Sequence, residues 1–103
     1  MTNPTTKVRV PIDPERIAEF CRRWRITELS LFGSVLRDDF RPDSDVDVLV
    51  NFAPDTHQTL SNLITMGEEL EGIFGRKVDL VDKKGLHNPF RRHEILTTRQ
   101  VIC

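Results

Sequence analysis

The chain is poor in the features that mark secreted and membrane-bound proteins. It has two cysteines, Cys21 and Cys103, which are too few for a disulfide framework and have no zinc-ligand spacing around them. Even the longest apolar stretches are short, such as residues 48–50, so no segment is long enough to span a bilayer. Residues 1–6 lack the basic and then apolar pattern of a signal peptide. We therefore expect a cytoplasmic protein with no membrane partner.

The short length excludes a further set of proteins. A chain of 103 residues has the size of one domain. It has no room for separate substrate and cofactor domains, or for modules that grip a nucleic-acid template. We expect a single domain over residues 13–103, preceded by a loose arm over residues 1–12.

Charge is balanced overall but unevenly distributed. The chain carries 15 basic and 16 acidic side chains, for a net charge of −1. Five aspartates lie within residues 38–47, whereas residues 76–103 carry seven basic groups against three acidic ones. A solvated surface is the ordinary explanation, and the sharper one is an acidic cation site beside a basic region that faces an anion. Direct nucleic-acid binding is disfavoured, because the acidic cluster repels phosphate and no DNA-reading motif is present.

Capping residues and apolar spacing predict an alternation of helices and strands. Asp13 before Pro14 is a typical helix start, and apolar residues from Ile17 onward follow the spacing of one helical face. The remaining pattern predicts helices at about 59–74 and 89–96, and strands at about 28–32, 45–52 and 77–81. This order indicates an α/β fold with a small mixed sheet and helices packed mainly on one face. It leaves the order of the strands in the sheet open.

Two aspartates open the second predicted strand. Strand side chains alternate between faces, so Asp45 and Asp47 point the same way and lie roughly 7 Å apart. Two carboxylates on one side repel each other unless a cation sits between them, and oxygen ligands of this kind suit Mg²⁺. An exposed strand end with two solvated aspartates is the alternative, and for the bare pattern it would be the better explanation.

Residues 33–37 favour a metal site over two solvated aspartates. Gly33 and Ser34 follow a predicted strand and precede a helical turn, where a glycine lets the backbone approach a ligand and amides favour phosphate oxygens. Arg37, one turn on, supplies a permanent cation. An ordinary turn would explain Gly33-Ser34 alone, so the pairing with the aspartates carries the signal.

A third carboxylate is available on the next strand. If the strand at 77–81 pairs beside the second strand, Asp79 can join Asp45 and Asp47 on the same face. Three carboxylates around two Mg²⁺ ions would fit two-metal phosphoryl or nucleotidyl transfer. Asp82 is a rival third ligand, which we interpret instead as a turn residue.

The combined motif resembles that of the minimal nucleotidyltransferases of the DNA polymerase beta superfamily. Their signature is Gly-Ser, ten residues, Asp-x-Asp, and a third Asp on a later strand, and the chain is similar from about residue 17 to residue 102. The resemblance implies a polymerase beta-like fold, in which Gly33 and Ser34 hold the triphosphate of ATP. It also implies a metal site for two Mg²⁺ ions, formed by Asp45, Asp47 and Asp79. Arg37 and Ser44 match common family positions, and Arg37 would steady phosphates.

The length narrows the resemblance further. Stand-alone members of this size resemble the antitoxin half of HEPN–MNT toxin–antitoxin pairs, in which the small protein transfers AMP from ATP onto a tyrosine of its partner HEPN ribonuclease. The resemblance thus implies an Mg²⁺-dependent protein adenylyltransferase with a HEPN toxin partner. Two alternatives stay open: a non-catalytic module that masks the toxin, and a nucleotidyltransferase acting on a small molecule.

Overall fold

The computed structural model describes residues 10, 12–36 and 44–103 of the chain. Its helices are α1 (Pro14–Arg23), α2 (Leu60–Phe74) and α3 (Pro89–Thr98), and its strands are β1 (Ile26–Phe32), β2 (Val46–Phe52), β3 (Val78–Asp82) and β4 (Gln100–Val101). Short 3₁₀ turns at Gly33–Leu36 and Lys83–Gly85 follow β1 and β3. The α/β fold class is confirmed.

Each helix begins at a side-chain cap that the sequence supplies. The carboxylate of Asp13 accepts hydrogen bonds from the amides of Glu15 and Arg16, at 3.2 and 3.3 Å. Thr59 caps α2, and Asn88 caps α3. These side chains satisfy amides that lack a partner within the helix, so the predicted helix starts are confirmed.

The four strands form one mixed sheet in the order β3-β2-β1-β4. β1 runs antiparallel to both β2 and β4, whereas β2 and β3 run parallel and are joined through α2. Beyond β4, the amides of Ile102 and Cys103 donate to the carbonyl of Leu29, at 2.8 and 3.2 Å. The end of the chain is thereby held against β1.

One face of the sheet carries most of the core. Side chains from β1 and β2 pack there against α1 and α2, and their fully buried members include Ile17, Phe20, Leu29, Leu31, Val48, Met66 and Leu70. Cys21 belongs to this cluster, and burial and the neighbouring Cys103 thiol raise the pKa of the Cys21 thiol. A buried thiol with a raised pKa is a poor nucleophile, so Cys21 acts as a core residue.

The opposite face has a smaller cluster under α3. Phe32 and Leu49 from the sheet pack there against Leu86 and Ile95. The sheet is therefore covered mainly, but not only, on one face, as predicted.

The predicted loose arm falls mostly outside the described residues, which omit residues 1–9 and 11. Of the remainder, Val10 is 7% exposed and belongs to the main core, and Ile12 packs against that core. Among the described residues, no helix is both long enough and apolar enough to cross a membrane.

Candidate functional site

Two sequence-predicted positions, Asp47 and Asp79, lie side by side at one end of the sheet. Asp47 in β2 is the register partner of Asp79 in the parallel strand β3, and on its other side it faces Phe32 at the end of β1. Register partners on neighbouring strands send their side chains to the same face. The face is the one that α3 covers, because the next residue of β2 on that face is Leu49 of the smaller cluster.

Asp45 lies just ahead of β2 and is exposed. The amide of Val46 donates to the carbonyl of Lys77 at 2.8 Å, which fixes the start of β2 beside the start of β3. Ser44 is half-buried at the same end. The structure thus places Asp45, Asp47 and Asp79 at one end of two adjacent strands, an arrangement that we call the acidic edge.

Gly33 lies directly against this acidic edge. Its φ is +77°, in the left-handed region that favours glycine. A Cβ atom built on Gly33 would stand 2.4 Å from the Oδ2 atom of Asp47, closer than non-bonded atoms approach. A side chain at position 33 would therefore displace the Asp47 carboxylate, so the glycine is needed both for its backbone angle and for space.

Two other predicted contacts fall beyond what the structure describes. Arg37 lies in the range 37–43, outside the described residues, and so does the side chain of Ser34. The backbone of Ser34 belongs to the 3₁₀ turn Gly33–Leu36. The predicted roles of Ser34 and Arg37 toward a phosphate stay predictions.

The donor set at the acidic edge fits a hard cation in its chemistry. Aspartate oxygens are the ligands that Mg²⁺ prefers, and Mg²⁺ usually takes one or two carboxylates and leaves its other positions to water and phosphate. Within the described part of the chain, no three acidic, histidine or cysteine side chains gather closely enough to hold a metal ion. The pair Asp47 and Asp79 is the part of the predicted set that the sheet register brings side by side.

Asp82 is separated from this site, as its interpretation as a turn residue predicts. It pairs in register with Val50, whose side chain lies in the main core on the opposite face. Its carboxylate accepts a hydrogen bond of 2.9 Å from the amide of Lys84 and caps the 3₁₀ turn that follows β3.

A cavity of about 670 Å³ opens between α3 and the 3₁₀ turn after β1. We call it the α3 cavity; its lining comprises Phe32, Gly33, Leu36, Arg91, Glu94, Ile95, Thr97, Thr98, Arg99 and Gln100. Because Gly33 touches both the cavity and the Asp47 carboxylate, the cavity adjoins the acidic edge. Its size is that of a typical small-molecule site.

Arg99, which lines the α3 cavity, forms an ion pair with Glu28 on β1. The Arg99 guanidinium, just after α3, donates to the Glu28 carboxylate on β1 at 2.7 Å and also to the carbonyl of Leu96. The buried hydroxyl of Ser30 donates to the same carboxylate at 3.2 Å. Burial favours a higher pKa for Glu28, but these hydrogen bonds and the charges of Arg99 and Lys83 outweigh it, so the pKa is lowered. The ion pair fastens the end of α3 to the sheet.

The structure also distinguishes the basic side chains of residues 83–92 by their surroundings. Arg91 lines the α3 cavity, whereas Arg92 points elsewhere and donates to the Lys83 carbonyl at 3.4 Å. Lys84 is exposed. The spacing of Arg91, Glu94, Ile95 and Thr98, which form one helical face, is the sequence signal that could have identified this wall of the cavity.

A family model for the nucleotidyltransferase domain matches residues 15–102. The chain therefore belongs to the nucleotidyltransferase domain family, and its resemblance to that family is confirmed. Over 68 residues it is 40% identical to the protein adenylyltransferase MntA of Thermococcus cleftensis, covering 66% of this chain and 67% of the relative. Over 73 residues it is 36% identical to a candidate protein adenylyltransferase of Methanocaldococcus jannaschii, covering 71% of this chain and 73% of that protein.

Solved structures agree with this assignment. A candidate minimal nucleotidyltransferase is 35% identical to the chain, with a TM-score of 0.68 and coverage of 84% of this chain and 85% of that one. A toxin–antitoxin complex with AMP-PNP is similar with a TM-score of 0.71, at 18% identity over 89% of this chain and 73% of that chain. A complex of a tri-AMPylated Shewanella oneidensis HEPN toxin with its MNT antitoxin reaches 0.63, at 18% identity over 87% of this chain and 68% of that chain. At such identities the last two show a shared fold.

Proposed function

We propose that the protein transfers AMP from ATP to a hydroxyl group of a HEPN toxin and thereby acts as its antitoxin. The observation that carries this proposal is the acidic edge, where Asp47 lies beside Asp79 and against Gly33. Gly33 fits there because it has no side chain. The relatives named as protein adenylyltransferases and the complex with an AMPylated HEPN toxin support the choice of acceptor.

The reaction makes one bond and breaks one bond at phosphorus. The acceptor oxygen attacks the α-phosphorus of ATP, the bond from that phosphorus to the bridging oxygen breaks, and pyrophosphate leaves. The acceptor hydroxyl loses its proton, and in this proposal the Asp79 carboxylate, beside Asp47 on β3, would receive it. Gly33 keeps the backbone close enough for the nucleotide to approach Asp47.

Asp45, Asp47 and Asp79 would hold Mg²⁺, with two ions as the family resemblance implies. Bound Mg²⁺ would neutralise charge on the phosphates and favour ionisation of the acceptor hydroxyl. The protein's part is to keep its carboxylates on one side of two parallel strands, where like charges would repel each other without a cation.

The direct test is transfer of radioactive label. The purified protein, Mg²⁺, ATP labelled at the α-phosphate and a HEPN toxin partner are incubated together, and label on the toxin is the expected result. ATP labelled at the γ-phosphate should leave no label, because pyrophosphate is the leaving group. The chain contains no tyrosine, so any label on tyrosine in the mixture lies on the partner. Absence of label from α-labelled ATP would contradict the proposal.

A matched pair of variants tests the role of the acidic edge. The double change Asp45→Asn/Asp47→Asn should abolish transfer. Asp55→Asn, which alters an exposed aspartate paired with Arg25 at 2.9 Å, should leave transfer unchanged. Transfer that survives the double change would show that the carboxylates are not the catalytic groups.

The alternative of a masking module makes the opposite prediction. A protein that neutralises the toxin by binding alone would still protect cells when Asp45 and Asp47 are replaced, since the toxin would stay covered. The adenylyltransferase proposal expects that protection to be lost while the folded protein still accumulates.

A further inference from the structure

The lining of the α3 cavity includes an arginine, Arg91, that no hydrogen bond or ion pair of the described residues engages. Arg91 lies in the first turn of α3 and lines the cavity that Gly33, in the turn after β1, also lines. No hydrogen bond or ion pair joins the Arg91 guanidinium to another side chain in the part of the chain that the structure describes. An arginine without such a partner among the described residues, beside a cavity that adjoins the acidic edge, points to a ligand with negative charge.

The other basic groups near the cavity already have partners. Arg99 also lines the cavity, but its guanidinium is held by Glu28 and by the Leu96 carbonyl. Arg92 is not among the residues that line the cavity, and its guanidinium donates to the Lys83 carbonyl. Arg91 is therefore the cavity-lining arginine, among the described residues, that remains available to an incoming anion.

The rest of the cavity lining is mixed in character. Phe32, Leu36 and Ile95 supply apolar surface, and Thr97, Thr98 and Gln100 supply neutral hydrogen-bonding groups. Glu94 adds a carboxylate one turn after Arg91, which suits a sugar hydroxyl and repels a phosphate. A ligand with an anionic part near Arg91 and a neutral polar part further along α3 matches this order, and a nucleoside triphosphate has that character.

We propose that Arg91 binds the polyphosphate of the nucleotide from the α3 wall of the cavity, opposite Gly33. This inference rests on the proposed function for the identity of the nucleotide. It assigns to α3 the second wall of the nucleotide site, facing the wall that the glycine and the acidic edge provide.

The test compares two neighbouring arginines. Binding of AMP-PNP is measured by calorimetry for the wild type, Arg91→Gln and the matched control Arg92→Gln. Loss of a charge-assisted hydrogen bond should raise the dissociation constant of Arg91→Gln on the order of 10-fold or more. Arg92→Gln should bind like the wild type. Arg91→Lys, which keeps the charge, should recover part of the lost affinity.

Kinetics and stability separate a binding role from a structural one. In the label-transfer assay, Arg91→Gln should raise the KM for ATP with little change in kcat, and its melting temperature should match that of Arg92→Gln. Equal AMP-PNP affinity for the two variants would overturn the inference, as would failure of the wild type to bind AMP-PNP or a lowered melting temperature that accounts for the loss. Failure of the proposed function would give a different result: AMP-PNP binding would still depend on Arg91, but no label would appear on the toxin.

Discussion

The two faces of the sheet differ in how fully they are packed. In the described part of the chain, the face under α1 and α2 has a cluster of 15 buried residues, whereas the face under α3 has a cluster of four. The acidic edge, the α3 cavity and the Glu28–Arg99 ion pair all lie on the sparsely packed face. We call the two surfaces the core face and the site face.

The difference separates stability from function: one face of the sheet stabilises the fold, and the other carries the candidate site. The core face supplies most of the apolar burial, and its strand positions are filled by aliphatic side chains such as Val48 and Leu31. Because that face stabilises the fold, the site face can carry carboxylates and an open cavity that a packed layer would exclude. Substitutions on the core face should therefore alter stability, and substitutions on the site face should alter activity.

The largest expected effect on AMP transfer is the contrast between Asp79 and Asp82, two aspartates of β3 that lie on opposite faces of the sheet. Asp79→Asn on the site face should lower AMP transfer about 100-fold or more, because a carboxylate with the metal-holding role proposed for Asp79 supports several kcal/mol of transition-state stabilisation. Asp82→Asn removes the charge of a turn cap and should cost at most about 1 kcal/mol in stability, with transfer unchanged. Label transfer and urea denaturation of both variants measure this contrast. Equal activity of the two would remove the distinction between the faces.

On the core face, Met66→Ala should reduce the free energy of unfolding by about 2–5 kcal/mol. Met66 is fully buried between α2 and the sheet, so truncation leaves a cavity. The remaining folded protein should retain its transfer rate, since the Met66 side chain packs on the opposite face of the sheet from Asp47 and Asp79. Denaturation measurements and initial rates below the melting transition test this, and Leu60→Ala at an exposed position of the same helix is the control.

Gly33→Ala should damage activity more than stability. A left-handed φ costs a residue with a side chain about 1–2 kcal/mol, and the new Cβ would push the Asp47 carboxylate aside. We expect transfer to fall about 10-fold or more. Gly67→Ala, in a helix where an added Cβ meets no atom within 4 Å, is the control and should be stable and active. Full activity of Gly33→Ala would mean that Asp47 can move without consequence.

The smallest effect concerns the Glu28–Arg99 ion pair and depends on pH. The pKa of Glu28 is lowered on folding, so its contribution to stability is complete well above the ordinary glutamate value of 4.5 and is lost as the pH falls through the folded-state value. Glu28→Gln should cost about 1 kcal/mol at pH 7, and the difference from the wild type should shrink on acidification. Thermal melting between pH 7 and pH 3 measures it. A difference that is constant with pH would contradict the assigned role of the charge.

Much of the fold follows from local signals in the sequence. The three helices begin close to the residues that capping signals and apolar spacing predict, after the caps Asp13, Thr59 and Asn88, and the structure lengthens the last helix to Thr98. β1 begins at Ile26, earlier than the predicted start at residue 28. Such ends are set by pairing with a neighbouring strand, here Ile26 with Phe52, and local periodicity does not encode that pairing.

The sequence also predicts part of the candidate site and leaves the rest open. The spacing of Gly33, Asp45 and Asp47 was sufficient to predict the family, and the family match confirms it. The catalytic and metal-binding roles of Asp45, Asp47 and Asp79 stay predictions that the variants above test. The sequence could not separate Arg91 from Arg92, because one residue of offset on a helix changes the direction of a side chain by about 100°.

The sequence by itself determined the helix starts, the alternation of the strands and the motif that identifies the family, since each depends on residues close together in the chain. Only the tertiary structure decided that β3 pairs in parallel with β2, so that Asp79 and not Asp82 stands beside Asp47. It also decided that α3 crosses the site face and brings Arg91 to the cavity beside Gly33. These contacts join residues more than thirty positions apart, and their register depends on how whole elements pack.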